Sequence, residues 1–125
     1  MMIFHRGAKK HIILTSNGEE TRKAAFEQVP GNKKGCIAQL NRLLVQLGDH
    51  GSLRSPDQLR HEGNEIYAVK ANCGLRAYGW LDHDKNTDTP LFVVGHCVLK
   101  KKEKMDSSDF DRVKREREQF HEVEK

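Results

Sequence analysis

The chain has 125 residues, a length that suits one domain over 1–125 with one hydrophobic core. Hydrophobic residues make up 36% and charged residues 32%, so the core must be economical and the surface highly charged. No run approaches the ~20 apolar residues of a membrane helix, so no membrane partner is expected, and a net charge of +4 permits a nucleic-acid partner without demanding one.

The first residues, Met1-Met2-Ile3-Phe4-His5-Arg6-Gly7, carry no apolar stretch of signal-peptide length. Cys36, Cys73 and Cys97 are odd in number and form no CxxC pair, which argues against both a zinc ribbon and a disulfide framework. Free thiols suit a reducing cytosol, so a soluble cytoplasmic protein is expected. The seven histidines show no HxH or HxxxH spacing, and neither metal nor cofactor is expected.

In chain order, His11-Ile12-Ile13-Leu14-Thr15-Ser16 is β-branched and bounded by Asn17-Gly18, which predicts an N-terminal strand. Glu19 to Val29 predicts a helix stopped by Pro30-Gly31. Lys33 to Leu47 predicts a second, with Ile37, Leu40, Leu44 and Leu47 on one face and Gly48 as its left-handed cap. Gly, Ser and Pro residues between Asp49 and Gly63 predict a loop. Three strands follow: Glu65–Lys70, Leu75–Leu81 and Leu91–Leu99. The turn Ala71-Asn72-Cys73-Gly74 joins the first two, and a polar loop from Asp82 to Pro90 joins the others. Short connections make the three antiparallel neighbours. A last helix starts at Asp106 or Ser107, with Asp106 and Asp109 as a capping pair and Phe110, Val113, Arg117 and Phe120 as a thin stripe.

The order predicts an α+β fold: a small curved antiparallel sheet, made of a three-strand meander plus an N-terminal strand. Two N-terminal helices pack on one face, and a C-terminal helix follows. Alternation sends Leu75, Ala77, Gly79 and Leu81 to one face and Arg76, Tyr78 and Trp80 to the other. A concave face lined by cations and aromatic rings suits an RNA strand.

Two stretches carry a family resemblance. Glu65-Ile66 leads to Lys70, then the turn, then Arg76. His96 is followed by Lys100, Lys101 and Lys104, then Asp106-Ser107-Ser108-Asp109. In order and spacing these resemble the RelE/ParE toxin superfamily of bacterial type II toxin–antitoxin systems, in its phage-derived, HigB-like branch. The resemblance spans roughly residues 36 to 121 by element order. It implies a metal-free, ribosome-dependent mRNA endonuclease that inhibits translation, held in check by a cognate antitoxin of helix-turn-helix type. Some members of the superfamily instead inhibit DNA gyrase and cleave no RNA. A third alternative is an inactive phage-derived protein that binds RNA.

Metal-free RNA cleavage needs a base for the 2′-hydroxyl, an acid for the 5′-oxygen, and cations on the phosphate. Arg76 stands where the resemblance places a site arginine. It would clamp phosphate, since a guanidinium does not readily give up its proton. Lys70 has three readings: phosphate ligand, base if neighbouring cations lower its pKa, or an ordinary strand-end lysine. His96 has two: an acid–base group, or a satisfied histidine in an apolar strand. Lys100 and Lys101 would alternate in facing, so one of them reaches a given groove, with Lys104 beyond. Tyr78 could stack on a base, whereas Trp80 is read first as core.

Overall fold

The computed structural model describes residues 1–55, 57–100 and 105–124. Among the described residues, six strands and three α-helices run in the order β1 (Met2–Arg6), β2 (His11–Leu14), α1 (Ser16–Gln28), α2 (Gly35–His50), β3 (Leu59–Gly63), β4 (Ile66–Lys70), β5 (Leu75–His83), β6 (Pro90–Leu99) and α3 (Ser107–Glu124). The strands form one open mixed sheet in the order β1-β2-β6-β5-β4-β3. This corrects the expected curved antiparallel sheet in three respects.

First, the sheet is wider. The β4-β5-β6 meander is present, but β1 and β3 extend it at both edges. β3 lies inside the segment read as a loop. It returns to β4 through Asn64 and Glu65, both at positive φ (54° and 62°), the conformation of a two-residue hairpin turn. A glutamate is an uncommon occupant there, so the composition hid the turn. Second, β2 pairs parallel to β6, with Ile12 opposite Phe92 and Leu14 opposite Val94. The crossover that parallel pairing requires is supplied by α1, α2 and the strands up to β6.

Third, both faces of the sheet are covered. α1 and α2 bury Leu40, Leu44 and Leu47 with Ile12, Leu75, Ala77 and Phe92 on one side. α3 covers the other, where Ile66, Ala68, Tyr78, Trp80 and Val93 meet Val113 and Phe120. The face expected to lie open to RNA is therefore closed. The thin stripe of α3 suffices because large side chains on the sheet meet it: the Trp80 and Phe120 rings pack edge-on, 5.9 Å between centroids.

Smaller differences have local causes. α1 begins earlier than expected, because the Thr15 hydroxyl caps it by accepting the Gly18 N–H at 3.0 Å, so Asn17-Gly18 lies in its first turn. α2 runs on to His50, and Gly51 at φ 82° is its left-handed cap rather than Gly48. Gly48 instead lies under the β1–β2 turn, its carbonyl accepting the N–H groups of Lys9 and Lys10 at 2.9 Å. Asp106 and Asp109, expected as a capping pair for α3, both reach Lys100 through their carboxylates.

Cys36 and Cys73 are joined by a disulfide between α2 and the β4–β5 turn, against the expectation of free thiols. Separation in sequence gave no hint of this, since the fold alone brings their Cα atoms to 6.0 Å. Cys97 is free and buried, and burial pushes its thiol up to about 12 despite the opposing pull of Arg22. No described helix is long and apolar enough to cross a membrane.

Candidate nucleic-acid interface

The β4–β5 turn builds one end of the site. The Ala71 N–H donates to the Leu75 carbonyl at 2.9 Å and the Gly74 N–H to Ala71 at 3.2 Å, closing a tight reversal. Gly74 sits at φ 100°, and a Cβ there would overlap the Lys100 carbonyl. The missing side chain lets the Lys100 N–H donate to the Gly74 carbonyl at 2.8 Å, which fixes Lys100 beside the turn.

Cross-strand register then gathers the cations. Lys70 stands directly opposite Arg76, and Arg60 opposite Ala68. Period-two alternation places all three on the face that α3 covers, near the end of the sheet. There they line a pocket of about 560 Å³ together with Lys100, Arg54 and Lys33. Asp57 is the carboxylate among its lining residues. Six cations outnumber the carboxylates around this hollow and make a net positive basin, the arrangement that holds phosphates. Arg76 is 4% exposed, so its guanidinium is set by packing.

Carboxylates stand beside several of these cations. Arg54 Nε lies 3.5 Å from Asp57 Oδ2. Arg60 Nε lies 3.1 Å from Glu62 Oε1. Lys100 Nζ lies 2.7 Å from Asp106 Oδ2 and 2.9 Å from Asp109 Oδ2. Burial acts to push the Lys100 ammonium down, but the two aspartates outweigh it and hold its pKa up. Lys100 is therefore a fixed positive charge and not a proton acceptor.

The other predicted site residues fall differently. Tyr78 is fully buried beneath α3, so it offers no ring to a base. Burial pushes its hydroxyl up, against the pull of Arg76 and Lys100 beside it. Trp80 is core, its indole N–H donating to Asp82 Oδ2 at 3.3 Å. His96 is not among the residues that line the pocket. A bulge opposite Tyr78–Gly79 resets the alternation of β6 and turns His96 toward α3. Both of its ring nitrogens are engaged: Nδ1 with Asn17 Nδ2 at 3.2 Å, and Nε2 with Asp109 Oδ1 at 3.3 Å. Burial lowers its pKa, with Asp109 opposing. Lys101 and Lys104 lie outside the described residues.

Asp109 joins these parts, holding His96 through one oxygen and Lys100 through the other. The same network continues through Arg112, which donates to Asn17 Oδ1 at 2.7 Å, and Glu116, which accepts from the Thr15 hydroxyl at 3.1 Å. It pins α3 across β6 to the start of α1. Sequence reasoning missed Arg54 and Arg60 because they lie in the stretch read as a loop, and Lys33 because it was read only as the start of a helix. Asp109 was legible only as a capping residue.

Among the described residues, no group of three or more His, Cys, Asp or Glu side chains is placed to hold a metal ion. No family model matches the chain, and no curated protein matches it.

Proposed function

We propose that this protein is an RNA-directed toxin of RelE/ParE-like type, a metal-free endoribonuclease that acts on translated mRNA in the cytoplasm and is neutralised by a small antitoxin of helix-turn-helix type. The observation that carries the reading is the pairing of Lys70 with Arg76 across β4 and β5, at a pocket also lined by Arg60 and Lys100. Lys70, Arg76 and Lys100 are residues that the resemblance names, and they share one basin with added cations from β3 and the loop before it.

In this reading Arg76 and Lys70 hold the scissile phosphate, while Arg60 and Lys100 neutralise its neighbours. Solvent water takes the 2′-hydroxyl proton as the 2′-oxygen attacks phosphorus, the bond from phosphorus to the 5′-oxygen breaks as that oxygen takes a proton from water, and the charge that grows on the phosphate oxygens falls among fixed cations. His96 contributes by position, because its two nitrogens are occupied within the fold.

That placement of His96 also favours a second reading, in which the same pocket binds RNA without cutting it. Regulated expression in a bacterial host, with primer extension on a reporter mRNA, separates the two. Growth arrest with new 5′ ends, both abolished by Lys70→Ala with Arg76→Ala, is the expected result. Arrest without new ends selects the binding reading, and cleavage undiminished in the double variant overturns the site.

A further inference from the structure

The disulfide has a location that the proposed function leaves unused. Cys73 lines the cationic pocket as part of the β4–β5 turn, and Cys36 opens α2 three residues after Lys33, which lines the same pocket. The cross-link therefore ties two walls of one basin together. The turn has other tethers: the Asn72 N–H donates to Gln39 Oε1 at 2.9 Å, and the Gly74 carbonyl accepts from Lys100. Losing the cross-link would loosen this wall while those tethers remain.

The chemistry of opening is favourable at one sulfur. Cys73 is half-buried at the pocket wall, whereas Cys36 is 8% exposed, so an incoming thiolate meets Cys73 first. Cys36 is the second residue of α2, at the positive end of the helix dipole, with Lys33 and Lys34 just before it. Negative charge on the departing Cys36 sulfur is favoured there.

We propose that Cys36–Cys73 is a thiol–disulfide exchange site that sets the phosphate affinity of the pocket, the bridged form binding more tightly. This rests on the reading of the pocket as an RNA site. A dithiol reductant attacks Cys73 Sγ, forming a mixed disulfide and releasing Cys36 as a thiolate, which takes a proton. The second thiol of the reductant then displaces Cys73, so two electrons and two protons pass to the protein and the reductant leaves as its own disulfide. Bridged, the turn and the Lys33 segment are held ready for phosphate. Opened, they must be ordered by the ligand, which costs affinity.

The test compares bridged and dithiol-reduced protein by fluorescence anisotropy with a labelled single-stranded RNA, and by amide hydrogen exchange over residues 71–74. Reduction is expected to weaken RNA binding about tenfold, the loss that ordering one short segment can impose. It should also speed exchange in the turn while the sheet core stays protected. Cys36→Ala with Cys73→Ala should match the reduced protein and ignore the reductant. Gln39→Ala, which keeps the bridge, should cost little when oxidised and add to the loss when reduced. Equal RNA affinity of folded bridged and reduced protein overturns the proposal. So does an unfolded reduced protein, because the bridge would then hold the whole fold and not this wall. If no RNA binds in either form, the reading of the pocket fails. Exchange at 71–74 then decides the redox site by itself: faster after reduction supports it, and unchanged exchange overturns it.

Discussion

Lys70 and Arg76 are direct cross-strand partners, one on each side of a four-residue turn, and both line the cationic pocket. Two cations held side by side on paired strands together favour a bound anion, beside the partners each has within the fold. If RNA phosphate is that anion, Lys70→Ala should weaken binding and make the plot of log affinity against log salt shallower by about 0.7, the slope per phosphate contact on a single strand. Arg76→Lys should weaken binding with the slope unchanged, because the charge stays and the planar fork is lost. Salt titrations of RNA anisotropy check both, and an unchanged slope in Lys70→Ala would remove Lys70 from the site.

Asp109 holds two groups at once, so its loss should reach further than one ion pair. Asp109→Ala strips a carboxylate from Lys100 and from His96 in a mostly buried setting. Destabilisation of about 2 kcal/mol is expected, in the range for hydrogen bonds to charged groups. Asp106→Ala, at a side chain 52% exposed, should cost less. Urea unfolding of the two variants gives the comparison, and a larger loss at Asp106 would refute the ranking.

The pH dependence follows from His96. Its folded pKa lies below the ordinary 6.5, burial being the largest cause. The unfolded chain therefore takes up a proton at higher pH than the folded one. Stability from this group is complete above about pH 6.5, the ordinary histidine value, and falls as the pH drops toward the lowered folded value. Protonation would place a second N–H against the Asn17 amide, in a pocket faced by Asp109, Arg112 and Glu116. Melting temperature should decline between neutral and mildly acid pH, and His96→Gln should flatten that decline. A profile identical in wild type and variant would mean that another group governs it.

Gly95 marks the bulge that turns His96 toward α3. A Cβ there would come 2.7 Å from the Trp80 ring and 3.2 Å from Glu116 Cβ. Gly95→Ala should cost about 1–3 kcal/mol, the usual penalty of overpacking a filled core, and should loosen α3 first. Near-ultraviolet dichroism of Trp80 would report the change, and a variant as stable as wild type would show that the helix can move aside freely.

Much of the interior was written locally. The stripe Ile37, Leu40, Leu44, Leu47 and the apolar run Leu91–Leu99 impose their elements by period alone, and the short turn at Asn72–Gly74 makes β4 and β5, with Lys70 and Arg76, neighbours in one hairpin. Those features depend on neighbours in sequence, so the sequence by itself determined them. The edge strand β3, the parallel pairing of β2 with β6, the cover that α3 lays over Tyr78 and Trp80, the Cys36–Cys73 bridge and the double grip of Asp109 all join residues far apart in the chain. No local propensity encodes such contacts; they appear only when burial of both sheet faces brings the partners together. The tertiary structure thus turned a lysine at the end of β6 and an arginine hidden in a supposed loop into one cationic basin.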